Sequence, residues 1–444
     1  MPVPSASAPI ETLHQEIVAT VVSYLDKPSL LALLRTKRFL RPHAEYQLYR
    51  RVDFRPEVTK HRWNPYLSYG RDNTRAQIQR SAVDFLLAIV NNRRLGTLVR
   101  SFYPGEVDED VIVTGTGVER TVDLLPYAIE NDFFPNLKSI ALYHPRTILG
   151  CPKSPCQLER LGIYIQNPIG FPRDLPDVLQ HQPGLRHFSL MFAKSTILVG
   201  AFSSSKAPAP KDLCPALEVL EGPNSAIQFL LPNHARIKSL FWECTRPYKG
   251  EWLDPHGRRP DVALRAVDVD LRDSFFTPEL CEAYGRLENL VLSNQIWFLP
   301  LLSPYFKSLK TLLLSIKVAV RSQRAPWDER LFLRAIGEMK SLEMLVVTWG
   351  QDYDPDEKYL DPEVVFGAAS KTNLKYFAIS VHGRGSAHVP VFVERQEDGR
   401  ICRVGSEKFE EVWYLHKGWF NYGTEDGRMD GNWTGFGPRI FVPE

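Results

Sequence analysis

The chain is poor in the residues that staple, anchor or catalyse. It has six cysteines in 444 residues, and only Cys151 and Cys156 fall close together. That pattern is neither a disulfide framework nor a paired metal-ligand spacing, so reduced thiols and a cytoplasmic or nuclear location are expected. The opening Met-Pro-Val-Pro-Ser-Ala-Ser-Ala-Pro has no basic or apolar block, and no secretory leader is expected. Long apolar runs are missing too. The longest uncharged stretch, Asn289 to Phe306, has 18 residues and holds Pro300 and Pro304, which argues against a membrane-spanning helix. Neither sign of charge dominates: 54 Lys+Arg against 52 Asp+Glu leave +2. Bulk binding to nucleic acid or to an anionic membrane is therefore not expected. Glycine (27) is outnumbered by proline (34), a balance suited to many short, stiff connections. Gly115-Thr116-Gly117 lacks the third glycine of a dinucleotide fingerprint, and no P-loop, His-Glu-x-x-His or Gly-x-Ser-x-Gly occurs. No enzymatic activity, cofactor or metal is expected, and the Asn432-Trp433-Thr434 sequon is read as chance.

The 444 residues, 44% hydrophobic and 24% charged, suit two or three folded domains or one elongated repeat array. Residues 1–9 are expected to be disordered. Ile10, Leu13, Ile17, Val18, Val21, Val22 and Leu25 then recur at helical spacing. Asp26 and Pro28 form a stop and restart, and short helices holding Leu30, Leu31, Leu33 and Leu34, then Phe39 to Tyr49, follow. Three helices this short cannot bury so much apolar surface among themselves.

The strings Leu13-His14-Gln15-Glu16-Ile17, Tyr24-Leu25-Asp26-Lys27-Pro28-Ser29-Leu30-Leu31-Ala32-Leu33 and Arg38-Phe39-Leu40 resemble an F-box across residues 10–52. His14 stands where that family usually has proline, and Phe39-Leu40 where many members have tryptophan. The resemblance implies docking to a Skp-type adaptor and, through it, to a cullin ubiquitin ligase. By position, Leu13, Ile17, Leu25, Leu30, Leu31 and Leu34 would face the adaptor. A helical cap on a repeat domain would need the same amphipathic face.

Residues 53–91 read as a polar linker, a loop over 55–80, followed by a helix from Ser81 to Asn91. Over 92–382 the template Leu-x-x-Leu-x-Leu, with Ile, Val, Phe or Trp allowed, recurs nine times. Its starts are Leu137, Leu158, Leu185, Ile237, Leu264, Leu287, Leu309, Leu342 and Leu374, with a degenerate copy at Leu217 and a doubtful one at Leu95. The last two apolar positions of each copy share one face of a strand. Thr277-Pro278-Glu279 and Asp361-Pro362-Glu363 read as helix starts between strands. The period resembles a leucine-rich-repeat solenoid, although the asparagine that family places at the ninth position is missing. The expected fold class is α/β: a three-helix F-box-like module, an irregular solenoid of parallel strands alternating with helices or loops, and a C-terminal β-rich aromatic cap over 383–444. A doubly wound α/β domain is the alternative.

On a solenoid the strand face opposite the leucines is expected to bind ligand. Glu221, Glu243, Asp268 and Asp270 would place acid there, either as a seat for a basic segment of an unknown protein substrate or as ordinary solvated polarity. The acidic loop Gly350 to Glu363 lacks the glycine and glutamate of a calcium loop. Asp398-Gly399 marks a hairpin. From Phe409 on, nine of 36 residues are aromatic, against 11% overall: a cap or a recognition surface. The expected role is a substrate receptor of a ligase. A ligase-independent scaffold or an α/β enzyme with an unrecognised site are the alternatives.

Overall fold

A computed structural model describes residues 14–36, 38–54, 72–104, 121–142, 157–165, 175–192, 209–243, 276–293, 299–316, 329–349, 360–381 and 391–405. Leu13, residues 1–9, the template at Leu264 with Asp268 and Asp270, most of the acidic loop and the aromatic tail from Phe409 lie outside the described residues. The chain divides into two units, Met1–Pro56 with Ser68–Ile163, and Glu57–Leu67 with Tyr164–Glu444.

The first unit opens with helices α1 (Gln15–Ser23), α2 (Lys27–Thr36) and α3 (Arg41–Arg50). Val18, Val22, Leu30, Leu40 and Ala44 close a core between them, with Leu25, Leu33, Leu34, Phe39 and Leu48 packed against it. The break at Asp26 is a cap: its carboxylate accepts the Ser29 N–H at 3.0 Å, satisfying one of the orphan donors of α2. Helix α3 then runs directly into β1 (Arg51–Asp53), which pairs in parallel with β2 (Ser101–Tyr103). Strands β3 (Ser139–Leu142) and β4 (Arg160–Ile165) add on in parallel. The first strand thus lies at the end of the helical module, well ahead of the leucine templates. Arg51-Val52-Asp53 offers a single apolar residue, too little for the pattern to register. The helix expected from Ser81 begins at Asp72 and forms α4 (Asp72–Asn91); α5 (Arg93–Gly96) and α6 (Thr121–Glu130) follow. Phe85 stacks on Phe102 at 5.4 Å and Phe102 on Phe134 at 5.9 Å, so aromatic rings tie α4, β2 and the turn after α6 into one layer.

The second unit alternates short helices and strands: α7 (Leu175–Gln180), β5 (His187–Phe192), β6 (Val219–Gly222), α8 (Asn224–Leu230), β7 (Ser239–Glu243), α9 (Pro278–Arg286) and β8 (Asn289–Ser293). It continues through α10 (Leu299–Leu302), β9 (Thr311–Ile316), α11 (Glu329–Glu338), β10 (Met344–Trp349), α12 (Pro362–Ala368), β11 (Tyr376–Val381), β12 (Val391–Arg395) and β13 (Ile401–Arg403). Strands β5 to β11 are parallel in sequence order. Strands β12 and β13 close the run as an antiparallel hairpin, whose turn puts Gly399 at φ 84, a conformation glycine adopts without strain. The result is a mixed α/β fold built on a largely parallel, open sheet. Thr277 and Asp361 cap α9 and α12 by accepting the N–H groups of Leu280 and Glu363, as the Thr-Pro-Glu and Asp-Pro-Glu strings suggest.

Each template places its apolar pair on one face: Leu240 and Trp242, Leu290 and Leu292, Leu312 and Leu314, Leu345 and Val347, Phe377 and Ile379 are all buried. Helices lie on this ladder face. Trp242 stacks on Tyr284 of α9 at 6.0 Å and donates Nε1–H to Asn224 of α8. Phe377 meets Phe366 of α12 edge-on. The degenerate copy at Leu217 is strand β6, and β7 pairs directly with β8; the Leu264 copy lies outside the described residues.

Among the described copies from Leu185 on, the second position carries a charge of alternating sign. Arg186, Glu218, Lys238, Glu288, Lys310, Glu343 and Lys375 stand in a row, each N–H donating to the carbonyl of the one before. Glu288 bridges Lys238 at 2.6 Å and Lys310 at 3.0 Å, and Arg186 lies 3.8 Å from Glu218. The hydrogen bond from Lys238 is the main cause holding the Glu288 carboxyl below its ordinary range, against the opposing effect of its burial.

Candidate interaction surfaces

Helix α1 has two apolar stripes. Val18 and Val22 turn into the three-helix core, while Ile17 (50% exposed), Val21 (48%) and Tyr24 (63%) point to solvent, as does Leu31 (45%) on α2. Residues 17, 21 and 24 share one helical stripe by their spacing. An exposed apolar stripe outside an already closed core marks a surface that meets something else. Of the residues placed at the adaptor by sequence position, Ile17 and Leu31 are at this surface. Leu25 and Leu34 are half-buried against the core, Leu30 is a core residue, and Leu13 lies outside the described residues. Val21 and Tyr24 went unread. Separating the i, i+4, i+7 stripe of 17, 21 and 24 from that of 18, 22 and 25 would have found them.

The module is fixed within its unit by a buried charge. Glu45, 6% exposed, accepts from Arg94 Nη1 at 2.7 Å and from Arg41 Nε at 3.0 Å. The Arg94 hydrogen bond is the first cause pulling the Glu45 carboxyl below its usual range, ahead of burial, which opposes it.

The face of the second unit's sheet opposite the ladder differs from the expectation of a solvated binding surface. Phe241, Val291, Leu313, Val346, Ala378 and Phe392 occupy successive strands at matching register. With Met344 they form one cluster, no member more than 8% exposed. The position between the two ladder residues of each described copy is therefore buried and, from β7 onward, apolar. The physical reason is legible afterwards: Phe, Val, Leu, Val and Ala at those positions read as a strand buried on both faces. Glu221 is also buried and stands opposite Phe241. Glu243 is one alternation further along β7, so the two acids are diagonal neighbours. Asp268 and Asp270 lie outside the described residues, and the four-acid seat is not assembled among the described residues.

Among the described residues no three His, Cys, Asp or Glu side chains gather to hold a metal ion, and no helix is long and apolar enough to cross a membrane. Burial pushes the Cys214 thiol up to about 12, and its Sγ lies 3.1 Å from the Leu179 carbonyl oxygen, so this cysteine packs as an apolar residue with a weak donor. The chain matches no model of a known protein family and none of the curated proteins with which it was compared.

Proposed function

We propose that the chain is the substrate-recognition subunit of a cullin-type ubiquitin ligase. The N-terminal helices are an F-box that docks a Skp-type adaptor, and the strand array, an irregular leucine-rich-repeat solenoid, holds an unidentified target protein. The reading rests on the F-box-like strings and on one structural observation: Ile17, Val21, Tyr24 and Leu31 are exposed on a capped helix pair that already has its own core. Such a surface needs a partner that buries it, and removing its exposed apolar area from water at ~25 cal/mol/Å² supplies a driving force. Function then follows from proximity: a receptor that holds adaptor and target together raises the target's effective concentration at the ligase. No bond is made or broken by the chain itself.

A ligase-independent scaffold is the second reading. The observation favouring it is the Glu45–Arg94 pair together with the direct passage of α3 into β1, by which the helices are an integral end of the first sheet. Capture by a purified Skp-type adaptor separates the two. The full chain should bind, and Ile17→Asp with Leu31→Asp should reduce binding at least tenfold with an unchanged far-UV circular dichroism spectrum. A wild-type chain that does not bind the adaptor would sink the ligase reading.

A further inference from the structure

Strand β13 gives the Tyr164–Glu444 unit an open backbone edge. It pairs with β12 on one side only. In an antiparallel pair, residues that bond the partner alternate with residues that turn their N–H and C=O groups away from it. Val404 donates its N–H to the Phe392 carbonyl at 3.0 Å, and Gln396 donates to the Arg400 carbonyl at 2.8 Å. With Cys402 opposite Glu394 in the register, these two bonds fix the phase. Arg400, Cys402 and Val404 face β12, whereas Ile401 and Arg403 direct their backbone groups outward. Among the described residues no backbone group pairs with these two donors and two acceptors. Ile401 is half-buried and Arg403 exposed, so the edge is reachable from solvent. An unpaired edge of this kind is a template for another strand.

The side chains on the edge restrict which strand it can take. Ile401 and Arg403 share one face, and Cys402 and Val404 lie on the other, where Val404 packs on the apolar row. The other arginines of the hairpin are engaged. Arg395 donates to the Thr372 carbonyl at 3.3 Å and stands over the Phe366 ring, and Arg400 pairs with Asp398. Glu394 is taken by Lys375 at 3.5 Å. Among the described residues no carboxylate pairs with Arg403, so the open edge carries an uncompensated cation on one face and small apolar groups on the other.

We propose that β13 is a strand-addition site for an extended acidic segment of a partner protein. The segment's backbone bonds the outward groups of Ile401 and Arg403. One of its acidic side chains lies opposite Arg403, and the next residue, which is apolar, lies beside Cys402. Main-chain hydrogen bonds anchor such a segment and alternate side chains select it. A second copy of this chain is disfavoured as the occupant. On a strand three residues long, self-pairing in any register brings the two Arg403 side chains onto one face as opposite or diagonal neighbours, and like charges so placed repel. The proposal goes beyond the ligase reading and does not rest on it, because a scaffold would use the same edge.

The test uses the full chain and two fluorescein-labelled peptides, one of alternating valine and glutamate and one of alternating valine and lysine. Fluorescence anisotropy should show the wild type binding the glutamate peptide and not its lysine counterpart. Ile401→Pro removes one outward N–H while sparing every bond to β12, a position where an edge strand tolerates proline. It should weaken glutamate-peptide binding about tenfold with an unchanged far-UV circular dichroism spectrum. Arg403→Glu keeps the edge but inverts its charge, and should shift the preference to the lysine peptide. This second variant also serves if Ile401→Pro does not fold. A wild type that binds neither peptide, or both equally, would overturn the proposal. So would a folded Ile401→Pro variant with wild-type affinity, an Arg403→Glu variant with an unchanged preference, or a wild-type dimer that Ile401→Pro abolishes.

Discussion

Glu45 is the side chain on which the position of the helical module depends. Replacing it with Gln removes the charge from two arginine hydrogen bonds inside a buried site, and should cost about 1–3 kcal/mol at neutral pH. The pH dependence has a definite sign. The folded-state pKa of Glu45 is lowered from 4.5, so its contribution is complete above about 4.5 and fades as pH falls through the lowered value. Urea unfolding should therefore separate wild type from Glu45→Gln at pH 7 and bring them together well below pH 4. At this scale the sequence was partly legible. Asp26, Thr277 and Asp361 announced their caps, because a cap is decided within three or four residues. The destinations of Leu30 and Glu45 were not legible: which of two apolar stripes turns inward, and which charge meets an arginine 49 positions away, are set by packing. Gly96 is similar. A Cβ there would stand 1.9 Å from the Phe133 carbonyl oxygen, a close approach no local pattern reveals.

Individual strands were easier to read than their two faces. The leucine template located β3 to β11 because two apolar residues at i and i+2 between turns leave few other solutions. It missed β1, which has one apolar residue, and the doubtful copy at Leu95 falls short of β2, which begins at Ser101. It also treated the intervening positions as solvated, although they are as buried as the ladder. A pair of substitutions makes the point measurable. Leu312→Ala on the ladder face and Leu313→Ala on the opposite face should each cost about 2–5 kcal/mol, as cavities in a closed core do. If the second face were open to water, Leu313→Ala would fall within about 0.5 kcal/mol of wild type. The charged row is read differently. Glu288→Lys would set three successive cations side by side and should cost about 1 kcal/mol at low ionic strength. That difference should shrink when the urea titration is repeated in 1 M salt, where exposed charges are screened.

For the molecule as a whole, length and composition allowed several globules or one array, and the structure divides the chain into two units, each with its own strands in sequence order. That alternation was legible because repetition averages out local ambiguity. The boundary between the units was not, since it falls after Ile163, inside strand β4 and with no linker composition to mark it. The alternating row from Arg186 to Lys375 has a consequence at this scale: it gives the array a parity. Excise one strand and its return, residues 288–309, and Lys238 comes to lie beside Lys310, cation against cation. Excise two in tandem, residues 288–342, and Lys238 meets Glu343 with the signs restored. An array built this way tolerates losing or gaining repeats in even numbers better than in odd ones, so its natural unit of length change is the pair.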